Sequence, residues 1–189
     1  LRIMEKEDFP MFIEWYSKPE FWGEFSSPTQ LSRTEIEKKL SDPGQHKWKD
    51  FIIEKKDGTK IGWIAFFYAL HPMGHTLEIG YSVLSDQRGK GYCSEAAQIM
   101  VDYLFLSQEA PCIQATTHVN NVASQRVLEK VGFKREGIMR RRSFVRGDWT
   151  DIVLFSILRE EWKQPKILTT GSAHKAHDES TPLPPLSSP

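Results

Sequence analysis

Apolar and polar positions along the chain fall into two periods, two and 3.6 residues, and their succession lays out the elements. Leu1 to Met4 reads as a short strand, and Asp8 to Tyr16 as a helix with Asp8 at its cap. Residues 34–40 form a second helical piece, ended by Asp42-Pro43-Gly44. Phe51–Lys55 and Lys60–Leu70 are strands joined through Lys56-Asp57-Gly58, where Asp-Gly is a hairpin signal. Thr76–Leu84 is the next strand. Beyond it Cys93, Ala96, Ala97, Met100, Val101, Leu104 and Phe105 recur as the stripe of a helix laid on a sheet. Ile113–Val119 is a strand, and Asn121 opens a helix that runs to Val131 and stops at Gly132, a residue suited to a left-handed cap. Phe133–Val145 and Trp149–Leu158 make a last hairpin across Arg146-Gly147-Asp148. The pattern predicts an α/β (α+β) fold: a mixed, mostly antiparallel twisted sheet of about seven strands, helices on both faces, and one central strand–helix–strand unit.

The periodicity stops at Pro165. Residues 165–189 hold five of the eleven prolines and only scattered leucine and isoleucine. So little apolar surface does not offset the entropy of ordering, so the sequence divides into a domain, 1–164, and a disordered tail, 165–189. His174 and His177 in that tail have no companion ligands for a metal. A chain of 189 residues suffices for one domain with a sizeable core. Its 25 basic and 25 acidic side chains balance, so no overall field points to nucleic acid or membrane. Arg140, Arg141, Arg142 and Arg146 form a local basic cluster that reads as a solvated hairpin, with contact to an acidic or phosphate group as the alternative. No apolar run reaches the ~18 residues of a membrane span, and the first residues do not resemble a signal peptide. Two cysteines, Cys93 and Cys112, make no disulfide framework, which places the expectation in the cytoplasm.

The chemistry is densest at Ser85–Ala96. Gly89 and Gly91 stand at a strand-to-helix turn, where backbone without Cβ lets a ligand approach closely. The free amides of the first helical turn and the positive end of the helix then face an anion, which suits a diphosphate. Two other glycine motifs fail. A nucleotide phosphate loop needs Ser or Thr after Gly-Lys, where this chain has Gly91. A dinucleotide fingerprint needs a third glycine or alanine where Ser94 stands and an acid about twenty positions on, where His118 stands. Glu78 lies on the strand leading into the turn, on one face with Thr76, Gly80 and Ser82. Cys93 belongs to the apolar helix stripe and reads as packing rather than as a nucleophile. His71 and His75, around Pro72-Met73-Gly74, read as solvated turn residues, so no metal site is expected.

The strings EIGYSVLSDQRGKGYCSEA, NNVASQRVLEKVGFKREG and GDWTDIVLFSILREEW, in that order and spacing, resemble the GCN5-related N-acetyltransferases, in the branch of the ribosomal-protein N-terminal acetyltransferases. The resemblance spans about residues 1–162. It implies acetyl transfer from acetyl-coenzyme A to a primary amine, of a protein N-terminus or a small molecule, by direct attack in a ternary complex. By the same resemblance, amides over Arg88, Gly89, Lys90, Gly91, Tyr92, Cys93 and Ser94 would hold the diphosphate. Val83 and Leu84, at the end of a splayed strand, would pair with the pantetheine arm. Asn121 and Ser124 would reach the carrier from the other side, Asn121 also being a good helix cap. Glu78 matches the family's general base. The tyrosine that many relatives place on the second helix as acid is replaced by Leu128, leaving Ser124 as the nearest donor. That departure also supports a rival reading, a coenzyme A-binding module without catalysis. Trp15, Tyr16, Phe21, Trp22, Phe25 and Trp149, with Glu20 and Glu24, are the candidates for the acceptor side. Monomer and homodimer are both consistent with the resemblance.

Overall fold

The structure, a computed structural model, describes residues 1–26, 32–41, 48–71 and 74–167, without the side chains of 33, 39–41, 48, 70–71 and 74–75. In chain order the elements are β1 (Arg2–Ile3), α1 (Phe9–Ser17), α2 (Pro19–Trp22), α3 (Arg33–Ser41), β2 (Trp48–Glu54), β3 (Lys60–His71) and β4 (Gly74–Val83). They continue with α4 (Tyr92–Ser107), β5 (Cys112–His118), α5 (Val122–Val131), β6 (Lys134–Val145) and β7 (Asp148–Leu158). The seven strands form one sheet in the order β1-β2-β3-β4-β5-β7-β6. Among the described strands only β4 and β5, the pair joined through α4, run parallel, as the central strand–helix–strand unit requires. The expected fold class is therefore the one observed.

Alternation along β3 sorts the chain into two cores. Ile64 belongs with Leu77, Met100, Leu104, Ile113, Leu128, Val153 and Phe155 in the large core beneath α4 and α5. Its neighbour Trp63 points to the other face and packs with Phe12, Trp15 and Phe21 of α1 and α2. Trp15 and Phe21, candidates for the acceptor side, are thus buried packing residues.

Turn chemistry holds where the sequence marks it. Gly58 takes φ +84° in the β2–β3 hairpin, and Thr59 donates its amide to Asp57 Oδ1 at 2.9 Å. Arg146 and Gly147 both have positive φ, +52° and +90°, the twist of a two-residue primed turn, so β7 already begins at Asp148. Gly132 ends α5 at φ +113°.

Four features differ from the expectations. Asp8 does not cap α1: its carboxylate is buried and turns back to Arg2 (2.8 Å), Lys60 (2.7 Å) and the amide of Glu5 (3.0 Å). Two cations outcompete a helix amide for one carboxylate. The short helix α2 was not foreseen, because four residues carry no period; Pro19 starts it and Gly23, at φ +66°, stops it. Strand β6 is broken between Met139 and Ser143, so Arg140–Arg142 stand opposite Asp151 alone, on the exposed edge of the sheet. Finally, the chain is still packed at residues 165–167. The amides of Lys166 and Ile167 each donate to Asp102 Oδ2 at 2.9 Å, beside Trp162 Nε1 on Oδ1 at 2.9 Å. Residues 168–189, the rest of the expected tail with His174 and His177, lie outside the described residues, as do 42–47 with Asp42-Pro43-Gly44.

Candidate active site

A gap in the sheet organises the site. Strand β4 stays paired with β3 through Gly62↔Val83, but its parallel ladder with β5 is confined to Leu77↔Ile113 and Glu78↔Gln114. From Ile79 onward β4 therefore faces an opening on its β5 side, while β5 stays paired with β7 along its other edge. Leu84 donates its amide to Ile61 of β3 at 2.9 Å and accepts Gln87 at 2.9 Å. Its amide is thus spent on β3 and its carbonyl accepts from the turn. Alternation turns the amides of Val83 and Tyr81 the other way, toward the opening.

At the far end of β4 the turn carries Gly89 at φ +74° and Gly91 at φ +87°. A Cβ built on either would meet nothing within 4 Å; the left-handed backbone, not crowding, is what calls for glycine. The first amide of α4 with an acceptor inside the helix is Glu95, bonded to Gly91 at 3.1 Å. Among the described residues the amides of 89–94 find no backbone acceptor outside the helix, and Gly91 offers no capping side chain. A helix start left open in this way is an anion seat. The Arg88 amide closes the preceding turn on Ser85 O at 3.3 Å, and its side chain turns away from the glycines. The guanidinium reaches Glu20 O at 3.0 Å and Val83 O at 3.4 Å, bracing α2 against the end of β4. Lys90 and Tyr92 are held loosely, Lys90 near Gln87 at 3.4 Å and Tyr92 beneath the Lys55 ammonium at 5.7 Å. Cys93 packs against the large core, and burial pushes its thiol up to about 11 against the opposing pull of Arg88. It stays protonated near neutrality, which suits packing and not nucleophilic attack.

Glu78 stands at the fork where β4 and β5 part. Its Oε2 accepts Gln114 Nε2 at 2.8 Å and its Oε1 accepts Thr116 Oγ1 at 2.8 Å. Two neutral donors from β5 fix the carboxylate's direction without the competing cation of an ion pair. Across the opening, Asn121 Oδ1 accepts the Ser124 amide at 3.1 Å, so the asparagine side chain is the cap of α5. Ser124 Oγ lies 3.2 Å from Tyr81 Oη, which also donates to Ser124 O at 3.3 Å. Leu128 is fully buried. Gln114, Thr116 and Tyr81 escaped the sequence reading. Period-two alternation does put Gln114 and Thr116 on one face of β5, yet only the register of two strands apart in sequence brings that face to Glu78.

The residues expected on the acceptor side lie on α1, α2, the loop after it and the last hairpin. Ser82 Oγ donates to Phe21 O at 3.2 Å, and Arg146 Nη2 to Gly23 O at 3.0 Å, joining hairpin to loop. Phe25 lies against the His118 ring at 5.0 Å, and Tyr16 meets Trp22 edge-on at 4.2 Å. Glu20 and Glu24 are exposed, and Trp149 is exposed against Phe144 at 5.4 Å. Among the described residues no three His, Cys, Asp or Glu side chains gather as a metal group. The side chains of His71 and His75, with Pro72 and Met73, lie outside the described residues.

Residues 1–134 match the family described as "Acetyltransferase (GNAT) domain". The N-acetyltransferase p20 of Bacillus licheniformis is 30% identical over 168 residues, covering 86% of this chain and 93% of that protein. The ribosomal-protein-serine acetyltransferase of Escherichia coli is 26% identical over 142 residues, 75% of this chain and 78% of the relative. In fold the chain is similar to the spermidine N-acetyltransferase of Vibrio cholerae solved with coenzyme A and spermine. The TM-score is 0.75 at 19% identity, covering 85% of this chain and 95% of the other.

Proposed function

Because this chain belongs to the GNAT acetyltransferase family, and so is an acetyl-coenzyme A-dependent N-acetyltransferase acting on amines, we propose that it works by direct attack, with Glu78 as general base. The single observation that carries this reading is the fork at Glu78: a carboxylate aimed by Gln114 and Thr116, at the mouth of an unpaired stretch of β4 that leads to an open helix start.

The residues present fit the carrier. The amides of residues 89–94 would hold the diphosphate and the gap-facing amides of Val83 and Tyr81 the pantetheine arm. Bound there, acetyl-coenzyme A supplies a thioester, a carbonyl carbon open to a nitrogen lone pair. Glu78 removes a proton from the amine nitrogen, since an alkyl ammonium with pKa ~10 has no pair to attack with. The C–N bond forms and the nitrogen passes its second proton to water, the C–S bond breaks with its electron pair on sulfur, and Ser124 gives the proton that converts thiolate to thiol and regains one from water. Amides on the parted strand supply donors for the carbonyl oxygen as it gains charge. We take the acceptor to be a polypeptide N-terminus. Exposed Arg140, Arg141 and Arg142 on the last hairpin, with Arg146 joined to the α2 loop, suit an acidic peptide better than a polycation. The ribosomal-protein relative supports the same choice.

Glu78→Gln is expected to lower kcat by about 100-fold or more, most at low pH where the amine needs a base, with coenzyme A affinity unchanged. Thiol release followed with a panel of acidic and basic peptide N-termini, spermidine and aminoglycosides reads the acceptor. A variant with the wild-type rate at every pH removes Glu78 from the mechanism. Coenzyme A binding without thiol release for any amine turns the reading to a non-catalytic module.

A further inference from the structure

Ser124 by itself is a poor proton source for a departing thiolate. Taking its proton leaves an alkoxide, a base far stronger than the thiolate being quenched. A phenol is different: with an ordinary pKa of about 10 it is a far stronger acid than an alcohol, so the anion it leaves is a far weaker base than a serine alkoxide. The structure puts one phenol beside Ser124. Tyr81 rises from the unpaired stretch of β4, three residues beyond Glu78, and places its Oη 3.2 Å from Ser124 Oγ. The odd number of steps matters. It sets Glu78 and Tyr81 on opposite faces of the strand, so the base stands on the side of α2 and the phenol on the side of α4 and α5.

We propose that Tyr81 is a positioning residue for the thiol-leaving step, aligning Ser124 and replenishing its proton, and this deepens the reading of Ser124 given above. As the C–S bond breaks and its pair goes to sulfur, the Ser124 Oγ–H proton moves to sulfur. The serine oxygen takes the Tyr81 Oη–H proton in return, leaving a phenolate that water reprotonates before the next turnover. Tyr81 thus fills the role left open by Leu128, reaching the cleft from the strand where a tyrosine on α5 is missing. Its surroundings keep it loaded. Burial holds the phenol above its ordinary range, with Cys93 of α4 adding to the rise and the Ser124 bond from α5 opposing it.

The test uses the full chain, as wild type, Tyr81→Phe and Ser124→Ala, with two readouts. One is kcat and KM for acetyl-coenzyme A. The other needs no turnover: the bound thiol of coenzyme A itself, titrated by thiolate absorbance. Tyr81→Phe is expected to lower kcat at least tenfold with KM unchanged, and to move the bound thiol's titration to higher pH, as Ser124→Ala does. If Tyr81→Phe matches wild type in both while Ser124→Ala does not, the relay is overturned and Ser124 acts alone. If neither variant differs from wild type, the role of Ser124 falls as well. Should Tyr81→Phe lose coenzyme A binding, a fluorinated tyrosine at position 81 decides. Its phenol is the stronger acid, so the bound thiol's titration moves to lower pH if Tyr81 backs Ser124 and stays in place if it does not.

Discussion

At the scale of the residue, the two acids that matter most, Asp8 and Glu78, are told apart by their partners. Glu78 is held by two neutral donors, Gln114 and Thr116. Asp8 is buried between two cations, and the Arg2 bond first, against the opposing effect of burial, holds its carboxyl well below the usual carboxylate range. A depressed carboxyl stabilises the fold at pH values above its unfolded pKa of about 3.9, and that contribution drains away as pH falls below it. Asp8→Asn is therefore expected to lose about 2–3 kcal/mol at pH 7, less than a fully buried pair because Arg2 and Lys60 keep a third of their side-chain surface. Melting curves should show a deficit of ~5–10 °C at pH 7 that narrows below pH ~4. An equal deficit at both pH values would mean that Asp8 acts by shape and not by charge. Sequence alone marked Glu78 by its place on a strand, but it assigned Asp8 to a helix cap. Composition cannot say which of several donors a carboxylate reaches first.

Among the elements, α4 is fixed at both ends by opposite means. Its C-terminus is capped from afar: Arg159 donates to the carbonyls of Ala110 (2.8 Å), Phe105 (3.0 Å) and Gln108, with its cation over the Phe105 ring. Cation and carbonyls suit the negative end of a helix. The N-terminus is left uncapped, so its amides stay available. Gly91→Ala puts an L-residue at φ +87° and is expected to cost about 1–2 kcal/mol of stability. It should also weaken coenzyme A more than tenfold, because the added methyl projects into the open space before the helix. Gly58→Ala is the control, since that glycine has φ +84°, equally open space and no place in the site. Calorimetry should find the two variants alike in stability and unlike in affinity. Equal affinities would take the helix start out of carrier binding. The glycines were legible as a motif because a left-handed backbone narrows the choice of residue. The bulge at Arg140–Arg142 left no such mark, since arginine is ordinary on either kind of strand.

Across the whole molecule, a buried carboxylate closes the domain. Asp102 of α4 accepts from Gln98 (3.2 Å), from Trp162 and from the amides of Lys166 and Ile167, so residues 162–167 are strapped onto the helix that starts at the site. Asp102→Ala strips the acceptor from these donors and is expected to lose about 3 kcal/mol. The corresponding fall in Tm is ~6–12 °C. A smaller change, within ~2 °C, would show that the strap contributes nothing. The sequence by itself determined the long helices and strands, though not α2 or the break in β6, and where the glycine turn lies. Those are local matters, set by side-chain period and by backbone conformations open only to glycine. The tertiary structure alone decided the partings and meetings: that β4 leaves β5 after Glu78, that Gln114 and Thr116 aim its carboxylate, that Tyr81 meets Ser124, and that Asp102 holds the chain past Pro165. Each joins residues tens of positions apart. Hydrogen-bond partners at that separation follow from strand register and packing, which no short window of sequence contains.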